Sequence, residues 1–85
     1  LSRVSLTDAD LSGRNFQDAN LASSGFTRAN LSNATFVNAN LSGARLDGVD
    51  LRFTNLLNAR AFNPDDHQGV FYEQTILPDG TIRSD

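Results

Sequence analysis

The sequence predicts an all-β coil that turns a corner every five residues and closes a square of twenty. Two columns of residues predict it. Every fifth position from the first is Leu or Phe: Leu1, Leu6, Leu11, Phe16, Leu21, Phe26, Leu31, Phe36, Leu41, Leu46, Leu51 and Leu56. Seven of the nine alanines stand two positions ahead of these, in a column that runs from Val4 to Ala59. A helix turns ~100° per residue, so five steps would scatter the leucines around its surface. A flat strand alternates faces every two residues, and an odd period would throw successive leucines to opposite sides. A coil with a bend in each unit satisfies both columns.

Each unit then has a fixed plan. The small residue and the Leu or Phe point inward, and the residue between them points out. That middle column holds Asn or Asp at seven of twelve places: Asp10, Asn15, Asn20, Asn30, Asn40, Asp50 and Asn55. With twenty residues per turn, the inward groups stack as Leu1–Leu21–Leu41, Leu6–Phe26–Leu46, Leu11–Leu31–Leu51 and Phe16–Phe36–Leu56. The alanine column is small because four side chains share the axis and more bulk would overpack it. Gly13, Asn33, Asn38, Gly43 and Gly48 close their units, where a bend needs a residue that tolerates positive φ.

The units Ala9-Asp10-Leu11-Ser12-Gly13, Ala19-Asn20-Leu21-Ala22-Ser23, Ala29-Asn30-Leu31-Ser32-Asn33 and Ala39-Asn40-Leu41-Ser42-Gly43 resemble those of pentapeptide repeat proteins. The resemblance implies a right-handed quadrilateral β-helix, a solenoid here of about three coils of twenty residues. It runs from residue 1 to about 61 and looks cyanobacterial. It implies architecture far more than activity.

Two parts follow: a β-helix over residues 1–61 and a C-terminal capping segment over 62–85. In the second part Phe71 and Ile76 fall back on the five-residue count, which predicts a degenerate fourth coil with both of them inward. Thr75 to Arg83 predicts a hairpin over 75–83, because Pro78, Asp79 and Gly80 supply a turn. Phe62, Val70, Phe71, Tyr72, Ile76 and Leu77 are apolar enough to form a lid over the last coil.

Composition removes most chemistry. The chain has no cysteine, so neither disulfides nor thiolate metal sites are available. No apolar run approaches the ~18 residues of a membrane-spanning helix. Seven arginines, no lysine and ten acids give a net charge of −3, against nucleic-acid binding by bulk charge. His67 with Asp65, Asp66 and Glu73 can be drawn as a metal cluster, but no ligand spacing recurs and a mixed polar loop is the ordinary reading. No catalytic, cofactor-binding or metal-binding residue is expected, and no enzyme.

Function must then lie on the outside. Val37 and Leu57 share one outward column and Phe53 sits at the neighbouring corner, a patch for a protein partner or for docking of the tail. Leu6 and Arg14 mark the N-terminal end, where Arg14 interrupts the small column and its stem is expected to leave through the open end. An end-to-end homodimer through the first coil is expected there. The expected function is a non-enzymatic structural or interaction module with an unknown protein partner. Its alternatives are a DNA-mimic regulator of a type II topoisomerase, disfavoured because three coils span only about 14 Å, and one domain of a larger regulatory protein. The expected location is the cytoplasm, or the thylakoid lumen or periplasm if a signal was removed.

Overall fold

The computed structural model describes residues 4–63 and 67–84. Eight parallel bridges join residues twenty apart, from Ser5 with Gly25 to Asn40 with Arg60. They recur every five residues, so each turn of the chain carries four bridged segments. Among the described residues, strands longer than a single bridge occur only in the tail, as β1 (Thr75–Ile76) and β2 (Ile82–Arg83).

The bends are regular for a local reason. The N–H of each small-column residue donates to the carbonyl of the inward residue three before it, as in Ala34 to Leu31 (3.1 Å) and Ala39 to Phe36 (2.9 Å). The third residue of each such turn has positive φ and the second does not, which makes these type II turns. All eleven third positions from Asp8 to Asn58 are left-handed, including Arg28 (φ 61) and Phe53 (φ 62) as well as Gly and Asn. The stack between layers imposes that conformation even on residues that resist it.

The Asn/Asp column has a structural task that the sequence reading did not assign. In all seven units the side-chain Oδ1 accepts the N–H two residues on, as Asn30 does from Ser32 (3.1 Å) and Asn55 from Leu57 (3.0 Å). That N–H bonds to no neighbouring layer, and neither does the small-column N–H, which is held within the bend. The unit 30–34 shows the full account: Asn30 N–H donates to Ala9, Leu31 to Asp50, Asn33 to Arg52 and Ala34 to Leu31. Every backbone donor of that unit is thereby satisfied without a long strand.

The inward columns form the core. Leu21, Phe26, Leu31, Ala39, Val49 and Leu51 are fully buried. Phe16 and Phe36 stack at 4.9 Å between centroids, and Phe26 meets both rings edge-on at 6.4 and 6.3 Å. Polar members of the small column are buried with a partner: Thr54 Oγ1 donates to the Leu31 carbonyl (2.7 Å) and Thr75 Oγ1 to that of Leu51 (2.6 Å).

The tail continues the stack, but one residue out of step. Asp50 bridges Phe71 and Asn55 bridges Ile76, separations of twenty-one rather than twenty. One extra residue therefore lies between Arg60 and Phe71, and Ala61, left-handed at φ 65, breaks the corner series at that point. The slip corrects the expectation for Phe71 and Ile76. Both occupy the outward bridge column, and Phe71 is 58% exposed. Tyr72 is buried instead, with Leu77 partly buried beside the core. From Val70 the order small, outward, inward resumes as Val70-Phe71-Tyr72 and Thr75-Ile76-Leu77. Strand β1 then pairs antiparallel with β2, Thr75 opposite Arg83 and Ile76 opposite Ile82, and the Arg83 guanidinium lies 4.2 Å over the Tyr72 ring.

Candidate functional site

The residues singled out in the sequence fall in three places. Leu1 lies outside the described residues. Leu6 and Leu11 are half-buried at the first layer, and Phe16 is buried. The inward residues from Leu21 to Leu56 are all buried.

Of the outward apolar set, Phe53 is 47% and Leu57 37% exposed, while Val37 is half-buried beneath Leu57. The hairpin turn reaches this column, since a side chain at Gly80 would lie 3.8 Å from Leu57 Cδ1. Phe71 and Ile82 belong to the same neighbourhood and were missed. They follow Phe53 and Leu57 upward through the bridges Asp50–Phe71 and Asn55–Ile76 and the pair Ile76–Ile82. The signal that could have found them is the resumed small-outward-inward order after Ala61. All four large apolar side chains that are exposed among the described residues thus stand on two adjoining faces in the upper part of the stack.

Beside Phe71 lies a shallow cleft of about 330 Å³ lined by Arg28, Asn30, Gly48, Asp50 and Arg52. Its cations are paired. Arg28 Nε donates to Asp8 Oδ1 at 2.9 Å, and Arg52 Nη2 to Asp50 Oδ2 at 2.7 Å. The Arg52 hydrogen bond holds the Asp50 carboxyl below the usual range, and Arg28 does the same for Asp8. Gly48 leaves room for this arrangement, because a Cβ there would meet Arg28 Cγ at 3.1 Å.

At the opposite end Arg14 is exposed, although its backbone carbonyl accepts the Thr35 N–H in the ordinary way. Asp10 is held below its usual pKa chiefly by hydrogen bonds from Ser12, with a further contribution from the Arg14 charge. His67 stacks on Phe62 with centroids 5.4 Å apart, while Asp65 and Asp66 lie outside the described residues. Among the described residues no three His, Cys, Asp or Glu side chains converge to hold a metal, and no helix is long and apolar enough to cross a membrane.

Comparison with known proteins agrees with this geometry. The family model for pentapeptide repeats matches residues 1–36 and 24–60, with eight copies. No curated protein matches in sequence. Among solved structures, alr5209, a pentapeptide repeat protein from Nostoc PCC 7120, is 28% identical with a TM-score of 0.50, covering 86% of this chain and 64% of its own. AT2G44920, a pentapeptide repeat protein of the Arabidopsis thaliana thylakoid lumen, is 22% identical with a TM-score of 0.51, covering 98% and 68%. HetL, a pentapeptide repeat protein involved in heterocyst differentiation regulation in Nostoc sp. PCC 7120, is 30% identical with a TM-score of 0.35, covering 98% and 51%. This chain thus spans about two thirds of the length of the first two and half of the third. With its repeat matched over residues 1 to 60 and cyanobacterial proteins among its neighbours, the chain belongs to the pentapeptide repeat family.

Proposed function

We propose that the chain is a right-handed quadrilateral β-helix of about three coils, closed by residues 62–85, that serves as a non-enzymatic module for binding a protein partner. The observation that carries this reading is the gathering of Phe53, Leu57, Phe71 and Ile82, all exposed, on two adjoining faces. A layered fold can place apolar groups anywhere outside, and scattered single ones need no explanation. A set confined to one region does. The core positions are filled by side chains, and the clefts outside are shallow, so the fold supports surface recognition better than it supports enclosure of a substrate.

The test is affinity capture from a cyanobacterial extract with the wild-type chain and with a Phe53→Ser, Phe71→Ser variant. A specific protein held by the first and released by the second supports the reading. Equal capture by a variant that melts like wild type would move the interface elsewhere.

A further inference from the structure

We infer that the cleft beside Phe71 receives a basic side chain of the protein partner, an arginine or lysine whose charge rests on the Phe71 ring. The inference rests on the reading of the upper faces as a partner surface, and it names the chemistry that one of those faces selects. The cleft, of about 330 Å³, opens at the side of the stack rather than at either end. The bridge column Asn30, Asp50 and Phe71 runs through it. Corner residues bound it, with Arg28 and Gly48 ahead of that column and Arg52 after it.

Charge is spread unevenly around the fold. Among the described residues, five of the seven acids stand on this face or its corners: Asp8, Asp10, Asp47, Asp50 and Glu73. Only two of the six arginines do so, and both are already engaged. Arg28 pairs with Asp8 at 2.9 Å and Arg52 with Asp50 at 2.7 Å. The Glu73 carboxylate is near enough to act on Arg52 as well. An anionic ligand would have to displace a carboxylate here and then face the others. A cation meets an excess of negative charge, the complementarity that selects partners at an interface.

The ring supplies the second attraction. Phe71 is 58% exposed, and the face of an aromatic ring draws a cation more strongly once water is removed. The next residue shows the same chemistry within the chain, since the Arg83 guanidinium lies 4.2 Å over the Tyr72 ring. The approach is open on one side. Gly48 and Gly69 follow one another in the corner column beside Asp50 and Phe71, so no side chain stands at that rim. A long stem can cross there, lay its methylenes against Ala29 and Phe71, and leave its charge at the carboxylates.

The experiment selects random phage-displayed peptides on the intact 85-residue chain. Fluorescence anisotropy then compares each enriched peptide with a version whose basic residue is glutamine. The enriched peptides should share an Arg or Lys beside apolar residues, and the glutamine versions should bind about tenfold more weakly. Phe71→Leu keeps apolar area but loses the aromatic face, and should weaken binding by about threefold or more. Asp50→Asn should weaken it too, whereas Asp18→Asn, which removes the same charge from an exposed corner elsewhere, should not. Melting curves check that each variant keeps its fold. Peptides that bind through Phe53 and Phe71 without a basic residue overturn the inference and leave the partner surface standing. Binding indifferent to Phe71→Leu, or weakened equally by Asp18→Asn, also overturns it. Peptides that bind the Phe53→Ser, Phe71→Ser variant as tightly as wild type tell against both readings.

Discussion

Phe16 and Phe36 lie face to face, ring centroids 4.9 Å apart and planes 13° from parallel, in successive layers of one inward column. Leu56 continues that column above them. The pair fills the space between layers where smaller groups would leave a gap. Phe36→Ala is expected to lower stability by about 3–5 kcal/mol, whereas Phe36→Leu, which repeats the chemistry of Leu56, should cost clearly less. Chemical denaturation of both variants checks the order, and equal losses would show that the ring stack contributes nothing beyond bulk.

Leu31→Arg should abolish cooperative unfolding, since Leu31 is fully buried with Leu11 and Leu51 in the layers on either side. An unpaired charge there has no route to water. Arg52→Ala removes an exposed side chain and its pair with Asp50, and a melting temperature close to that of the wild type is expected. Similar melting temperatures for the two would contradict the assignment of inward positions.

Asn30→Ala should cost about 1 kcal/mol, because Asn30 accepts from both the N–H (3.1 Å) and the Oγ (2.7 Å) of Ser32. Asn30→Asp keeps the acceptor and should melt close to wild type. A loss on Asn30→Asp as large as on Asn30→Ala would mean that the column matters for something other than its oxygen.

The pH dependence follows from Asp50. Its folded pKa is lowered by the Arg52 hydrogen bond, so the folded state binds its proton less readily than the unfolded chain. The resulting stability is fully present above the unfolded carboxylate range, near about 4, and is lost as pH falls through the lower folded value. Melting curves from neutral pH downward should therefore stay level until about pH 5 and then decline. Asp50→Asn keeps the acceptor for the Arg52 N–H but cannot titrate, and its decline should be shallower.

Deleting Ala61 removes the residue at which the count slips, leaving Phe62, Val70-Phe71-Tyr72 and Thr75-Ile76-Leu77 in unbroken period with what precedes them. That variant should keep its cooperative transition and its melting temperature. Deleting Asn55 should unfold the chain, because Leu56 and every residue after it up to the slip would leave their columns. Circular dichroism melts of the two deletions decide the matter, and a ΔAla61 variant that fails to fold would place the extra residue elsewhere.

These comparisons also show what could be seen in the residues alone. The period was legible because Leu or Phe and the small column are separated by both size and spacing, two signals that no helix or strand reproduces together. Positive φ was legible at Gly13, Asn33 and Gly43 but not at Arg28 or Phe53. At those two corners the conformation comes from the neighbouring layers rather than from the residue's own preference. The tail was misread because Phe71 and Ile76 are as apolar as Tyr72 and Leu77, so hydrophobicity is silent about which pair turns inward. Only the small residues Val70 and Thr75, two ahead of the buried ones, carry that information. The exposed apolar set was half legible for the same reason: Phe53 and Leu57 precede the slip, and Phe71 and Ile82 follow it.

Four bridged segments to a turn also govern how such a chain can change its length. A gain of five residues preserves every bend and every inward group, yet it carries all that follows one quarter-turn around the axis. Columns assembled from distant parts of the chain, such as Asp8 with Arg28 or Val37 with Leu57, would be dealt to different sides. A gain of twenty leaves each column intact and only lengthens it. For the interior the unit of inheritance is thus five residues, while for anything displayed outside it is twenty.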